Sequence, residues 1–218
     1  MSKKNTPSQN SLVNLYMEYV LEHNHAPKSV YAFAKSNGFK EAEFYKFFTN
    51  FETLESKIFS LFFTNTKETL ESSKDYPTYD SRNQLLSFYF TFFENLTANR
   101  SYVVYALNES CNKLENLKKL KELRSKFLDY IDELDIEVLQ IKNKQIEQTK
   151  DSIVQESYWV QLMITLKFWL DDTSTSFEKT DIFIEKSINA SFDLISISPL
   201  KSVVDLGKFL FKEKISMN

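Results

Sequence analysis

Five polar side chains in the N-terminal part of the chain have the chemistry to bind phosphate groups. They are Lys28, Ser29, Lys40, Tyr45 and Lys46. A lysine neutralises a phosphate as a point charge, while serine and tyrosine hydroxyls donate hydrogen bonds to its oxygens. We expect these residues to contact the backbone of double-stranded DNA if the surrounding chain presents them together.

The apolar residues around these side chains predict two short helices joined by a tight turn. Val30, Phe33 and Ala34 have the spacing of one helical face, and a second short helix starts near Lys40. Gly38 supplies the turn, because glycine tolerates the positive φ angle that ends many helices. Two helices arranged in this way form a helix-turn-helix motif, whose second helix enters the major groove of DNA.

Outside this motif, the 3.6-residue apolar period predicts helices along most of the chain. One runs to about Ser73 after a capping pair at Thr49 and Asn50, with Glu52 three positions after Thr49. A long, highly charged helix is predicted over residues 113–142, with a solvated charged face. The fold class is therefore expected to be all-α.

The motif also carries a family pattern, made up of Ser29, the Phe33-Ala34-Lys35 run, Gly38-Phe39, Tyr45, Phe48 and Leu54. This pattern resembles the N-terminal domain of the tetracycline-repressor (TetR) family. The resemblance implies a helix-turn-helix domain at residues 1–57 and a larger helical ligand-binding and dimerisation domain at residues 58–218. It implies a homodimeric DNA-binding transcriptional regulator, a repressor that responds to a hydrophobic small molecule.

Two departures from the family pattern favour a different function. The family usually has a small or hydroxyl residue at the position of Glu43 and a lysine at the position of Phe51. A carboxylate repels phosphate, and loss of the lysine removes an attraction. Residues 1–57 hold seven lysines and six glutamates, a net charge of +1, and all three arginines lie further along the chain. The alternative is a lipid-binding accessory protein that kept the TetR fold and no longer binds DNA.

A second resemblance, in the C-terminal half, supports this alternative. Trp169, Asp172 and Ser174 form a W-x-x-D-x-S pattern, followed by Thr180 and Phe183. The pattern is similar to the lipid-binding proteins of ubiquinone biosynthesis, which share the TetR fold. The same residues also predict a simple helix-capping corner, because Asp and Ser side chains accept hydrogen bonds from the free N–H groups that open a helix.

Two C-terminal helices are predicted at residues 152–171 and 177–195. The first is apolar over a wide surface, which indicates burial on two sides. Paired across a twofold axis, the two helices would form a four-helix homodimer interface, and burial in a monomeric core is the alternative. A basic amphipathic helix at residues 199–214 would either touch a membrane surface or pack onto its own domain.

An excess of aromatic side chains predicts an apolar ligand pocket in the larger domain. Its walls would be formed by the helices that carry Phe88, Phe92, Tyr102, Tyr105 and Trp169. Tyrosine hydroxyls would orient a ligand such as a fatty acid or a quinone. Tight packing of the same rings is the alternative.

Other features of the sequence argue against an enzyme, a metal site and a membrane protein. The chain has two glycines and lacks the common nucleotide-binding, metalloprotease and nucleophile-elbow motifs, so no enzyme activity is expected. His23 and His25 fit the end of a helix better than a metal site, and no cofactor is expected. The single Cys111, with no signal peptide and no apolar run long enough for a transmembrane helix, favours a cytoplasmic protein.

Overall fold

The structure is a computed structural model that describes residues 6–108, 113–134, 136 and 144–196. This part of the chain forms ten α-helices and two 3₁₀ turns and contains no β-strand, which confirms the predicted all-α architecture. The helices are α1 Gln9–His23, α2 Val30–Ser36, α3 Glu41–Phe44, α4 Phe51–Glu71, α5 Ser81–Ala98, α6 Arg100–Asn108, α7 Lys113–Lys118, α8 Lys121–Glu133, α9 Lys144–Asp171 and α10 Glu178–Ser196, and the 3₁₀ turns are Tyr76–Thr78 and Thr175–Phe177.

The chain divides into two compact units, each made from two segments. The first unit is Met1–Ser72 with Thr91–Phe127, and the second is Ser73–Phe90 with Leu128–Asn218. The functional division at residue 57 stays a prediction. Among the described residues, no helix is long and apolar enough to cross a membrane.

The prediction of a single helix over residues 113–142 is wrong. The chain turns at Lys119 and Leu120, and α8 ends at Glu133. The turn places the Lys119 ammonium 3.1 Å from a carboxylate oxygen of Glu55 and buries Leu120. Lys119 and Glu55 are far apart in the sequence, so the spacing of apolar residues within one helix could not predict their contact.

Two other helix starts also differ from the prediction. The α4 capping box joins Asn50 and Thr53 and does not use Glu52: Asn50 Oδ1 accepts from the Thr53 N–H at 2.9 Å, and Thr53 Oγ1 accepts from the Asn50 N–H at 3.3 Å. Helix α9 starts at Lys144, well before residue 152. Its first turns are rich in Lys, Gln and Glu, which are good helix formers, whereas the prediction followed apolar residues alone. The helix predicted at residues 199–214 lies outside the described residues.

The interior of the N-terminal head, which we define as α1–α3 with the start of α4, is a cluster of aromatic rings. Tyr16, Phe33 and Phe44 are fully buried. The Phe51 ring lies 5.3 Å from that of Tyr16, 5.7 Å from that of Phe33 and 5.4 Å from that of Phe44. Burying each such ring contributes roughly 1.5–3 kcal/mol to folding. The half-buried Phe51 ring therefore packs against this cluster, at the position where the family usually has a lysine.

A buried polar cluster lies in the same unit. Tyr16 Oη donates to one oxygen of Glu55 at 2.5 Å, and Lys119 Nζ lies 3.1 Å from the other. Burial, and then the negative charge of Glu55, raise the pKa of Tyr16 far above its usual value, so its hydroxyl stays protonated and donates. Both carboxylate oxygens are thus satisfied, as a charge removed from water requires.

In the second unit, Tyr130 holds three segments together. Its hydroxyl accepts from Tyr76 Oη at 2.9 Å and donates to the Gln84 carbonyl at 3.2 Å. Ser81 Oγ donates to the Leu134 carbonyl at 2.6 Å. These bonds attach the start of α5 to the end of α8.

Helices α9 and α10 pack together through both rings and amides. The Phe168 and Phe183 rings stack with centroids 4.6 Å apart. The Gln161 side chain donates to Ser187 Oγ at 3.3 Å and accepts from Ser191 Oγ at 3.1 Å. Their buried side chains include Leu162, Trp169, Ile184 and Ile188, all fully enclosed.

Candidate functional site

The first helix of the motif, α2, begins with a side-chain cap. Ser29 Oγ accepts from the N–H of Ala32 at 3.1 Å. This bond satisfies one of the free N–H groups at the start of the helix. The Ser29 side chain is exposed, and its hydroxyl hydrogen is still available to a phosphate oxygen.

The turn between α2 and α3 has the predicted glycine geometry. Gly38 has φ of 72°, in the left-handed region, and an added Cβ would meet no atom within 4 Å. The glycine is therefore needed for its backbone angle alone. The Asn37 side chain donates to the Phe33 carbonyl at 2.8 Å, and the Phe39 N–H donates to the Ala34 carbonyl at 3.1 Å. These bonds close the end of α2.

The second helix of the motif, α3, is short and directly follows Lys40, as predicted. It ends at Phe44, and the Phe48 N–H then donates to the Phe44 carbonyl at 3.0 Å. Phe44 and Phe48 are both buried, with ring centroids 5.7 Å apart. They fix the inner side of this segment, so its other side faces solvent.

The side chains of all five candidate DNA-binding residues, Lys28, Ser29, Lys40, Tyr45 and Lys46, are exposed. Two of them already contact carboxylates of α3. Lys46 Nζ donates to Glu43 Oε2 at 2.6 Å, and Tyr45 Oη donates to Glu41 Oε1 at 3.1 Å. A phosphate would have to compete with Glu43 and Glu41 for these donors.

Helix α2 also carries an exposed aromatic side chain, Tyr31, which was not among the residues predicted to bind DNA. Tyr31 is 60% exposed, and the Lys35 ammonium lies 6.0 Å from the centre of its ring. An exposed tyrosine with a cation over its ring can contact both a sugar and a phosphate. Its position between Val30 and Ala32, away from the Phe33 face, was a signal available in the sequence.

The W-x-x-D-x-S pattern forms the expected capping corner between α9 and α10. Asp172 Oδ2 accepts from the N–H and the hydroxyl of Thr180 at 2.9 and 2.7 Å. Asp172 Oδ1 accepts from the N–H and the hydroxyl of Ser174 at 2.8 and 2.7 Å. Burial alone would raise the pKa of Asp172, but these four bonds outweigh it and hold the pKa well below its usual range. The carboxylate is fully used in holding the corner.

Helix α9 is apolar on two sides, but only one of them is buried in the described part of the chain, so the predicted burial of the second side stays a prediction. One side, with Tyr158, Leu162 and Trp169, is buried. The opposite side carries Val160, Ile164 and Phe168, spaced four residues apart and exposed by 53%, 53% and 37%. Beside them, an open groove is lined by Phe168, Lys179, Ile182, Phe183, Lys186 and Ser187. We call these exposed apolar residues of α9 together with Ile182 the α9–α10 face.

The five residues of the predicted pocket fall into both compact units. Phe88 and Trp169 belong to the second unit and are fully buried. Phe92, Tyr102 and Tyr105 belong to the first, where Phe92 and Tyr102 are buried and Tyr105 is half-buried. Each unit supplies ring contacts of its own: Phe88 lies 4.8 Å from Tyr130, and Tyr102 lies 6.4 Å from Phe59. That the five residues line one pocket stays a prediction.

The two histidines contact the backbone around the end of α1. His23 Nδ1 lies 2.9 Å from the Tyr19 carbonyl, and its ring stacks on that of Tyr19 at 4.1 Å. His25 Nδ1 lies 2.8 Å from the Ala26 carbonyl. Within the described part of the chain, no three His, Cys, Asp or Glu side chains are grouped to hold a metal ion.

The comparisons with known proteins identify the family. The model of the family described as Tetracyclin repressor-like, C-terminal domain, matches residues 84–210. The chain belongs to the TetR-like family. The match covers more than half of the chain and lies outside the helix-turn-helix segment, so it is independent of the residues that first suggested a TetR protein. It confirms that resemblance.

A solved structure shows the same TetR-like fold. The fatty acid degradation regulator FadR from Bacillus halodurans matches with a TM-score of 0.53 and 15% sequence identity, over 84% of this chain and 95% of that chain. At this identity the match shows the fold alone. The comparison with curated proteins gave no significant match.

Proposed function

We propose that the protein is a DNA-binding transcriptional repressor of the TetR-like family, a cytoplasmic homodimer that responds to a hydrophobic small molecule. The observation that carries this proposal is the complete helix-turn-helix of the head. Ser29 caps α2, Gly38 makes the turn in the left-handed region, and Phe44 anchors α3. This geometry leaves the outer side of α3 free for a DNA groove.

The candidate residues would contact the DNA backbone in two ways, by neutralising charge and by donating hydrogen bonds. Lys28 and Lys40 are exposed, and their ammonium groups would neutralise phosphates on the two sides of the turn. Ser29 and Tyr45 would donate hydrogen bonds to phosphate oxygens. These contacts fix orientation more than sequence, because phosphates carry no base information.

An electrophoretic shift assay at low salt tests DNA binding, with the protein's own upstream DNA as the probe. The variant Lys28→Gln/Lys40→Gln should bind at least about tenfold more weakly, because two phosphate contacts are lost. Lys74→Gln, an exposed lysine between α4 and α5, is the control and should bind like the wild type. A folded protein that binds neither this DNA nor any sequence in a genome-wide selection would refute the proposal.

The homodimer would form through α9 and α10. The α9–α10 face exposes Val160, Ile164, Phe168 and Ile182 together, and a monomer would leave these side chains in water. A second copy placed across a twofold axis covers the same face on both chains, because such an interface is self-complementary. The groove beside Phe168 would receive a side chain of the second copy.

The ligand would be apolar. The aromatic residues Phe88, Phe92, Tyr102, Tyr105 and Trp169 are the proposed contacts, on the aromatic excess that the sequence shows. A protein of the same fold is described as a fatty acid degradation regulator, and we propose a fatty acid or a similar hydrophobic molecule as the ligand here.

The second candidate is a lipid-binding accessory protein that no longer binds DNA. The pairing of Lys46 with Glu43 and of Tyr45 with Glu41 favours it, because it occupies two of the donors that would otherwise bind phosphate. Native mass spectrometry of the purified protein discriminates between the two. A copurified lipid together with no shift of any DNA supports the accessory protein, and DNA binding without lipid excludes it.

A further inference from the structure

One tyrosine of the second unit has a buried hydroxyl. Tyr158, on α9, is 2% exposed, and its Oη makes no hydrogen bond within the described part of the chain. A buried hydroxyl without a partner is costly, and such groups are rare in native proteins. Tyr130, in the same unit, shows the usual arrangement, with bonds to Tyr76 and Gln84.

The Arg82 guanidinium and the Tyr158 ring both pack against the Phe192 ring. Burial raises the pKa of Tyr158 to about 12, and the positive charge of Arg82 opposes that rise. The Arg82 guanidinium also lies 5.4 Å from the centre of the Phe192 ring, whose centroid is 6.1 Å from that of Tyr158. Arg82 on α5, Tyr158 on α9 and Phe192 on α10 thus converge from three helices.

The guanidinium already holds a carboxylate, but one that is easily displaced. Arg82 Nη2 lies 2.7 Å from Asp193 Oδ1, and Nη1 makes a longer contact of 3.4 Å with Asn189 Oδ1. The Asp193 side chain is 59% exposed. Exposed ion pairs contribute little to stability, so Asp193 can exchange with another carboxylate at small cost.

From these contacts we infer that Arg82 and Tyr158 form a binding site for the carboxylate of an amphipathic organic acid. The acid's carboxylate replaces Asp193 on the guanidinium and accepts the unused Tyr158 hydrogen bond. Arginine suits this role because its planar donors match a carboxylate. Tyr158 lies on the buried side of α9 together with Leu162 and Trp169, so we expect the rest of the ligand to be apolar. This inference rests on the proposed function only in taking the ligand to be hydrophobic.

Decanoate, with decan-1-ol as the uncharged ligand of equal length, is the probe, and isothermal titration calorimetry the measurement. Wild-type protein should bind decanoate at least about tenfold more tightly than decan-1-ol, because the charge-assisted bonds are lost with the alcohol. Equal binding of the two, or binding of neither, would overturn the inference.

Three variants assign the contacts. Tyr158→Phe and Arg82→Gln should each weaken decanoate binding by about tenfold or more and leave decan-1-ol binding unchanged. Asp193→Asn should strengthen decanoate binding by a few fold, because the competing charge is gone. Wild-type affinity in Tyr158→Phe, or no gain in Asp193→Asn, contradicts the assignment.

Thermal unfolding separates this role from a structural one. Tyr158→Phe should leave the melting temperature unchanged or raise it, because it removes a hydroxyl that has no hydrogen-bond partner among the described residues. Tyr130→Phe is the matched control: it should lower the melting temperature and leave the preference for decanoate intact. A large loss of stability in Tyr158→Phe would show that the hydroxyl has a structural partner and overturn the inference.

The DNA assay keeps the two proposals apart. DNA binding without decanoate binding refutes the acid site alone. Decanoate binding without DNA binding refutes the regulator and leaves the acid site standing.

Discussion

The Glu43 carboxylate lies 2.6 Å from the Lys46 ammonium, one helical turn apart on the segment that would face DNA. The pair makes this surface nearly neutral, because each phosphate that approaches Lys46 also approaches Glu43. DNA binding must either break the pair or leave Lys46 unused. The strength of DNA binding thus depends on Glu43, although its carboxylate itself repels phosphate.

Removing the Glu43 charge should strengthen DNA binding. We expect Glu43→Gln to bind DNA about fivefold more tightly at low salt, roughly 1 kcal/mol. The slope of log affinity against log salt should steepen by about 0.9, because Lys46 then neutralises one more phosphate. Fluorescence anisotropy over a salt series measures both quantities.

Glu94→Gln is the control for that experiment. It makes the same change in net charge at an exposed position on α5. If it strengthens binding as much as Glu43→Gln does, the effect is one of overall charge and the pair with Lys46 is irrelevant.

Breaking the buried pair of Glu55 and Lys119 should destabilise the protein strongly. Lys119→Ala leaves the Glu55 carboxylate buried with only the Tyr16 hydroxyl, so we expect a loss of about 3 kcal/mol in the free energy of unfolding. Lys167→Ala breaks the exposed pair with Asp171 and should cost less than about 0.5 kcal/mol. Urea unfolding followed by circular dichroism gives both values, and similar losses would show that the buried pair has no special weight.

A charge on the α9–α10 face should separate the proposed dimer. Ile164→Glu places a carboxylate at the centre of the exposed row on α9, and we expect the dimer dissociation constant to rise by about 30-fold or more. Leu21→Glu, an equally drastic change at an exposed leucine of α1, should leave the assembly unchanged. Sedimentation velocity distinguishes the outcomes, and a wild-type protein that is already monomeric would refute the interface.

The capping corner predicts a defined pH dependence. The folded pKa of Asp172 lies below its unfolded value, so its contribution to stability is complete above about pH 4 and is lost as the pH falls through the folded pKa. The difference in melting temperature between wild type and Asp172→Asn should therefore be largest at neutral pH and shrink in acid. Asp171→Asn, at the exposed neighbouring position, should show a much smaller difference, and equal behaviour of the two variants would contradict the corner's role.

Local contacts explain which parts of the fold were predictable. Ser29, Gly38 and Asp172 each act on residues within eight positions along the chain, and a sequence pattern can report contacts of that range. Lys119 turns toward Glu55, and Arg82 toward Asp193, so the break before α8 and the site on Tyr158 depend on tertiary packing. No periodic pattern encodes such distant pairs. The contacts of Glu43 with Lys46 and of Glu41 with Tyr45 are local, but residue types alone do not say whether these donors bind a neighbouring carboxylate or a phosphate.

Tyr16 of α1 contacts α4 both through its ring and through its hydroxyl. Its ring stacks on Phe51 at the start of α4, while its hydroxyl donates to Glu55 one turn later on the same helix. Sliding α1 along α4 would have to break a ring stack and a charge-assisted hydrogen bond in the same step. The rings of Phe33 on α2 and Phe44 on α3 pack on the same Phe51. We therefore expect α1, α2 and α3 to follow any movement of the start of α4 as one body.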